Sequence, residues 1–157
     1  WKLKTSCTEK LGRSKMKFYT WEERRAFLIE LKNAVVAKFP EENYNVFVFG
    51  SFIRDDYKPE ESDLDLAVFS LEFDRELDVT YFIEDYLEER DIDSSIIEID
   101  VKQYGAFAVI PPLRMNVSFT DYYPEELHNY LGILRRDYVW YQEDRDNIRR
   151  KKERLQI

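Results

Sequence analysis

Apolar residues recur at helical spacing in three stretches of the chain, which predicts three helices. The first stretch covers residues 27–39, and Thr20 with Glu23 forms a capping box in front of it. The second stretch covers residues 74–90. The third stretch has Pro124 in its first turn, a position where proline is favoured. Because the apolar residues of each stretch lie on one side of the helix, we expect these helices to pack on a sheet.

Four short segments between and after the helices are typical of β-strands. Residues 46–49 are apolar on both faces, which indicates a buried central strand. Residues 63–69 and 95–101 place apolar side chains on one face at every second position, and residues 115–119 are compatible with a short extra strand. This order of elements predicts an α/β protein of the α+β kind. Its small mixed β-sheet is flanked by helices and followed by a C-terminal helical extension.

The chain divides into three regions. Residues 1–15 are basic and lack a sustained apolar period, so we interpret them as a flexible leader or as residues added before a natural start at Met16. Residues 16–120 contain the predicted sheet and form the main domain. Residues 121–157 form a C-terminal helix that we expect to pack on its own domain. Its apolar stripe thins after Gln142, so we expect that end to project into solvent or to meet a partner.

Composition and charge exclude several classes of protein. A chain of 157 residues has the size of one domain, and 44% apolar residues suffice for a core. The formal net charge of −8 disfavours binding of extended nucleic-acid duplexes. The single cysteine, Cys7, excludes a disulfide framework and a multi-cysteine zinc site. No run is long and apolar enough for a membrane span, so a cytoplasmic protein without membrane contact is expected. The only histidine, His128, is expected at the surface.

The residues that indicate chemistry follow the predicted central strand. Asp63 and Asp65 are two positions apart in a strand, so their carboxylates point to the same face. Two ionised carboxylates this close repel each other unless a cation neutralises them, and Mg²⁺ takes such ligands together with substrate phosphates. Gly50 allows a close approach of the backbone to a phosphate, and Ser51 adds a hydroxyl and an amide donor. The pattern therefore predicts a metal and phosphate site at the ends of two strands.

This pattern resembles the signature of nucleotidyltransferases of the DNA polymerase beta superfamily. Gly50-Ser51 is followed by eleven residues and then by Asp63-Leu64-Asp65. Within the superfamily, the chain is most similar to the minimal nucleotidyltransferase domains of bacteria and archaea. Arg54 and the serine before Asp63 also match the family pattern. The loop departs from it, because an aspartate replaces the usual glycine at position 55 and the loop is about one residue longer.

The resemblance implies the remaining site residues and the reaction. It implies a third carboxylate on a later strand, for which Asp100 matches best and Glu98 is the competitor. Asp63, Asp65 and Asp100 would hold two Mg²⁺ ions, with Mn²⁺ as a substitute, and Asp100 would assist deprotonation of the acceptor. Gly50, Ser51 and Arg54 would bind the nucleoside triphosphate, by family habit ATP. A nucleoside monophosphate would then pass to a hydroxyl of a small molecule, a protein or an RNA end.

Two other functions are compatible with the same resemblance. Small domains of this family also act as antitoxins beside a HEPN-type protein partner, either by forming a complex or by modifying the toxin. A noncatalytic domain that keeps the fold as a scaffold is the second alternative. The intact residues Gly50, Ser51, Asp63 and Asp65 argue against the scaffold.

Overall fold

The structure of the chain is a computed structural model that describes residues 16–72, 74–100, 117–135 and 139–157. Its helices are α1 (Trp21–Lys38), α2 (Arg75–Glu89), α3 (Glu125–Arg135) and α4 (Tyr141–Leu155). Its strands are β1 (Tyr44–Phe49), β2 (Leu64–Ser70), β3 (Ser94–Ile99) and β4 (Val117–Ser118). A single 3₁₀ turn, Gly50–Ile53, follows β1 directly. Among the described residues, no helix combines the length and the apolar character that a membrane crossing needs.

The four strands form one mixed sheet in the order β3-β2-β1-β4. Strand β1 is antiparallel to both β2 and β4, whereas β2 and β3 are parallel. The predicted mixed sheet with flanking helices is therefore confirmed. In this register Asp65 lies opposite Phe49 of β1 and opposite Ser95 of β3. The ends of three strands thus meet around Asp65.

The predicted capping box starts helix α1. The hydroxyl of Thr20 accepts a hydrogen bond from the amide of Glu23 at 3.1 Å, and the Glu23 carboxylate accepts one from the amide of Tyr19 at 2.9 Å. These bonds satisfy amides that have no partner inside the helix. The helix ends at Lys38, just before Pro40.

Helices α1 and α2 cover one face of the sheet, which we call the first face. Leu64, Leu66 and Val68 of β2 point to this face because they alternate with residues of the opposite face. Apolar side chains of both helices pack on them; the fully buried ones include Leu28, Leu31, Val79, Ile83 and Leu87. The first face therefore contains the larger of the two hydrophobic clusters.

Helices α3 and α4 cover the second face, on which Asp65, Ala67 and Phe69 of β2 lie. The buried cluster there joins sheet residues to both helices: Phe47, Phe49, Ala67, Phe69, Ile99, Tyr123, Leu127, Tyr130, Leu131 and Ile148. The expected docking of the C-terminal region is thus observed for Leu127, Tyr130 and Leu131. The remaining stripe positions at residues 134 and 138 lie outside the side chains that the structure describes.

The end beyond Gln142 does not project into solvent as expected. It forms helix α4, in which Ile148 is buried in the cluster of the second face. Arg25 of α1 donates hydrogen bonds to the carbonyl oxygens of Leu155 and Gln156 at 3.1 and 2.9 Å. The helix is therefore held in its middle and at its C-terminal end by the rest of the domain. The expected leader, residues 1–15, lies outside the described residues.

Candidate active site

Gly50 occupies the junction between β1 and the 3₁₀ turn, where only glycine fits. Its φ of +74° lies in the left-handed region, which is unfavourable for residues with a Cβ atom. A Cβ atom placed on Gly50 would also overlap the carboxylate of Asp65 and lie 3.2 Å from its Cγ. The side chain of Asp65 therefore lies directly against the backbone of the turn. Gly50 and Asp65 thus meet where β1 ends and β2 begins.

Asp63 and Asp65 form a pair of carboxylates beside this turn. Asp63 directly precedes β2 and is exposed, whereas Asp65 is half-buried inside the strand. Burial raises the pKa of Asp65, the negative charge of Asp63 raises this pKa further, and the positive charge of Arg54 lowers it. Among the described residues, neither carboxylate has a hydrogen-bond or ion-pair partner. The pair thus holds negative charge that the described part of the protein does not neutralise by direct contact.

Arg54 and Ser51 lie at the two ends of the same turn. The guanidinium of Arg54 forms two hydrogen bonds with the Asp56 carboxylate, at 3.0 and 3.1 Å, and these raise the pKa of Arg54. Asp65 raises the same pKa, so Arg54 lies within electrostatic reach of the carboxylate pair. Ser51 is half-buried, and its carbonyl oxygen accepts a hydrogen bond from the amide of Arg54 at 2.9 Å. An exposed ion pair such as Arg54–Asp56 is weak, so this arginine can change partners at little cost.

The aspartate at position 55 does not disturb the loop. Among the described residues, positive φ angles outside glycine occur at Asp74, Asp91 and Gln156. Asp55 therefore does not need the left-handed conformation that a glycine at this position would allow. The loop is closed further along by Ser62, whose hydroxyl accepts a hydrogen bond from the amide of Lys58 at 2.9 Å.

Asp100 does not join the carboxylate pair, contrary to the sequence prediction. It directly follows β3, whereas the residue of β3 beside Asp65 is Ser95. Five residues at ~3.3 Å each put the backbone of Asp100 roughly 16 Å further along the sheet. Burial raises the pKa of Tyr130 in helix α3, and the negative charge of Asp100 raises it further. Asp100 is thus at the opposite end of the strand from Asp63 and Asp65.

Glu98, the competing residue, also lies away from the pair. It is the register partner of Val68, whose side chain belongs to the cluster of the first face. Burial raises the pKa of Glu98, and the negative charges of Glu76 and Glu84 in helix α2 raise it further. Its carboxylate therefore faces α2 rather than Asp65.

Asp93 is the carboxylate of the β3 segment that the structure places nearest to the pair. Its carbonyl oxygen accepts a hydrogen bond from the amide of Leu64 at 3.0 Å, which extends the parallel register by one residue and sets Asp93 beside Asp63. Both residues line one cavity, which residues 57 and 59–62 also line. Asp93 is not among the predicted site residues because it precedes the predicted third strand. The one available signal was its place at the start of a strand beside a second strand that also begins with an aspartate.

The donors present fit a divalent cation bound together with a phosphate ligand. Among the described residues, no group of three or more histidine, cysteine, aspartate and glutamate side chains could hold a metal ion. A site made by Asp63 and Asp65 alone matches Mg²⁺, which commonly uses one or two carboxylates and completes its coordination with water and substrate phosphates. The raised pKa of Asp65 also favours a cation at this site, because a bound cation would remove the repulsion between Asp63 and Asp65.

A second polar cluster is buried between α3 and α4, away from these residues. The Asp144 carboxylate accepts a hydrogen bond from the Tyr123 hydroxyl at 2.5 Å and lies 3.2 Å from Nδ1 of His128. The side chain of His128 is only 12% exposed, so the expectation of a surface histidine is wrong. This cluster joins the two C-terminal helices, since Tyr123 and His128 belong to the α3 region and Asp144 to α4.

Comparison with known proteins identifies one family. The chain matches the family model described as the nucleotidyltransferase domain over residues 28–118. This range includes helix α1 from its second turn, the whole sheet and the turn that carries Gly50. The comparisons with curated proteins and with solved structures give no match.

Proposed function

The chain belongs to the nucleotidyltransferase domain family, and on that premise we propose that it transfers a nucleoside monophosphate from a nucleoside triphosphate to a hydroxyl. ATP is the proposed donor, and Mg²⁺ is the proposed metal. The observation that supports this most strongly is the contact between Gly50 and the Asp65 carboxylate, because it joins a phosphate-binding turn to the metal-binding pair. Acceptor recognition depends on surfaces other than the carboxylate pair and the turn.

Each residue of the site has a proposed role that follows from its position. Asp63 and Asp65 hold the divalent cation, which supplies charge neutralisation to the triphosphate and to the reacting phosphorus when it is bound. Gly50 keeps the turn free of side-chain bulk, so that phosphate oxygens can approach the backbone. Ser51 offers its hydroxyl and amide, and Arg54 leaves Asp56 to contact a phosphate, since arginine forms stronger bonds with phosphate in a desolvated site.

The proposed reaction is an in-line displacement at the α-phosphorus. The acceptor oxygen forms a bond to this phosphorus while the bond to the bridging oxygen of the β-phosphate breaks, and pyrophosphate leaves. The proton of the acceptor hydroxyl passes to a carboxylate oxygen. We assign this role to Asp93, because it lies beside Asp63 whereas Asp100 lies at the other end of β3. The assignment replaces Asp100 as the third carboxylate.

The proposal is tested by label transfer. The protein is incubated with each of the four α-³²P-labelled ribonucleoside triphosphates, Mg²⁺ and separate acceptor fractions: small molecules, proteins and RNA from a cell extract. We expect labelled product from at least one fraction, no product when EDTA replaces Mg²⁺, and no product with Asp65→Asn. Asp100→Asn is the matched control, because it removes the same charge far from the turn, and it should give wild-type labelling.

Two results would contradict the proposal. Labelling by Asp65→Asn at the wild-type rate would show that the carboxylate pair is not the site. Absence of labelled product with every triphosphate and fraction, combined with normal nucleotide binding, would favour the noncatalytic scaffold instead. Stable capture of a HEPN-type protein without label transfer would favour the antitoxin-like function.

A further inference from the structure

The guanidinium of Arg24 is buried beneath the turn that carries Gly50 and Ser51. Arg24 lies in the first turn of α1 and is only 6% exposed. Its Nε donates a hydrogen bond to the carbonyl oxygen of Phe52 at 2.8 Å, and one Nη donates to the carbonyl oxygen of Arg54 at 3.3 Å. These two carbonyls belong to the turn and to the residue that ends it. Arg24 therefore fixes the turn from the side of α1.

Two aromatic rings hold the guanidinium in this position. Its carbon lies 4.5 Å from the ring centre of Tyr57 and 5.6 Å from that of Trp21, distances typical of cation–π contacts. Burial raises the pKa of Tyr57, the positive charge of Arg24 lowers it, and the negative charge of Asp63 raises it further. Tyr57 thus contacts Arg24 and lies within electrostatic reach of Asp63.

The charge of Arg24 is not neutralised by the described part of the protein. No carboxylate oxygen lies within 4.0 Å of its nitrogens among the described residues, although the chain has a formal net charge of −8. A buried charge without a counter-ion is costly, and an anion bound nearby would lower that cost. The adjacent turn is where the proposed triphosphate binds.

We infer that Arg24 is a positioning residue for the nucleotide, an inference that rests on the proposed function. It holds the Gly50–Ile53 turn in the conformation that receives the triphosphate, and its charge adds positive potential below the phosphates. Arg24 acts through the turn, because its donors bond to the carbonyl oxygens of Phe52 and Arg54. A loss of Arg24 should therefore weaken nucleotide binding while the carboxylate pair stays intact.

The test compares Arg24→Gln with Arg25→Gln. Arg25 is a matched control, because it is the next residue of α1 and also donates hydrogen bonds to two carbonyl oxygens, but at the far end of α4. Titration calorimetry with ATP and Mg²⁺, well below the melting temperature of each protein, should show affinity roughly tenfold weaker for Arg24→Gln and unchanged for Arg25→Gln. Arg24→Lys keeps the charge and should recover part of the loss.

A second readout does not depend on nucleotide. Hydrogen exchange of the backbone amides at residues 50–54 should be faster in Arg24→Gln than in wild type and unchanged in Arg25→Gln. If Arg24→Gln does not fold, Tyr57→Leu removes one supporting ring and leaves the charge, and it should weaken ATP binding about threefold.

The outcomes separate this inference from the proposed function. Wild-type ATP affinity and wild-type amide exchange in a folded Arg24→Gln protein would overturn the positioning role alone. Failure of the wild-type protein to bind any of the four triphosphates would contradict the proposed function. In that case, faster amide exchange at residues 50–54 in Arg24→Gln would still show that Arg24 stabilises the turn. Unchanged exchange would overturn this.

Discussion

Gly50 is the residue on which the candidate site depends most directly, because both its conformation and its surroundings exclude a side chain. Gly50→Ala should lower nucleotidyl transfer by about a hundredfold or more, since the turn or the Asp65 carboxylate must move. The measurement is the initial rate of label transfer at saturating Mg²⁺.

Gly132→Ala is the matched control for this substitution. Gly132 lies in helix α3, and an added Cβ atom would have no neighbour within 4 Å. The control should leave transfer unchanged and raise the free energy of unfolding by up to about 1 kcal/mol, because alanine favours a helix. Equal activity of both variants would contradict the close contact between Gly50 and Asp65.

Asp65 should destabilise the metal-free protein. Its pKa is raised by burial and by Asp63, so the folded state binds a proton more tightly than the unfolded state does. Stability contributed by this group therefore falls as pH rises from about 4 through the raised pKa, and the cost is fully present at pH 7. In EDTA at pH 7, Asp65→Asn should have a higher melting temperature than wild type.

The pH and metal dependence of this difference check its cause. The difference in melting temperature should shrink as pH falls towards 4, where the unfolded carboxylate also becomes protonated. Mg²⁺ should raise the melting temperature of wild type and leave that of Asp65→Asn unchanged. A variant that is less stable than wild type in EDTA at pH 7 would contradict the electrostatic interpretation.

Asp93 and Asp100 test which carboxylate completes the site. Asp93→Asn should lower the transfer rate by roughly a hundredfold, the usual effect of losing a general base, whereas Asp100→Asn should keep a rate close to wild type. Rates are compared at saturating ATP and Mg²⁺. The opposite ranking would return the third carboxylate to Asp100 and contradict the parallel register of β2 and β3.

Period and residue type predict features that are close along the chain, but not features that depend on how distant segments pair. The spacing of Asp63 and Asp65 and the turn at Gly50 are local properties, so period and residue type predict them. The third carboxylate depends on the register between β2 and β3, which a helix separates along the chain. Its apolar neighbours made Asp100 the preferred candidate for the third carboxylate. The local sequence of β3 does not determine which of its residues lies beside Asp65.

At the scale of elements, helix α4 stabilises the fold, although its composition does not indicate this. Ile148→Ala should lower the free energy of unfolding by about 2–4 kcal/mol, because it opens a cavity in the cluster of the second face. Arg150→Ala changes an exposed position of the same helix and should alter stability by less than about 0.5 kcal/mol. Denaturant unfolding monitored by circular dichroism measures both. Equal stability of the two variants would mean that α4 does not pack on the sheet.

The sequence did not predict this packing, because α4 has few apolar residues and many charges. Beyond Gln142 the apolar residues are only Ile148, Leu155 and Ile157 among many charges, a composition that indicates a solvated helix. What the pattern omits is the polar contribution: Asp144 is 1% exposed and bonds to Tyr123, and it lies against His128. Hydrogen bonds between buried polar groups leave no hydrophobic period, so helical-wheel analysis cannot find them.

For the whole molecule, the order of elements follows from the sequence, since each strand and helix except β4 and α4 has a clear period or boundary. Strand order, register and the packing of two helices on the second face come from long-range contacts that no local pattern contains. The same contacts bring Gly50, Asp63, Asp65 and Arg24 to one end of the sheet. The proposed chemistry therefore depends on the fold as a whole.

Metal-dependent nucleotide binding tests this arrangement most directly. ATP is titrated by calorimetry into wild type, Asp65→Asn and Asp100→Asn, each in EDTA and in Mg²⁺. Wild type and Asp100→Asn should bind ATP more tightly in Mg²⁺ than in EDTA, by about tenfold or more, whereas Asp65→Asn should gain nothing from Mg²⁺. An equal gain from Mg²⁺ in Asp65→Asn and wild type would contradict the assignment of the carboxylate pair beside Gly50 as the metal and nucleotide site.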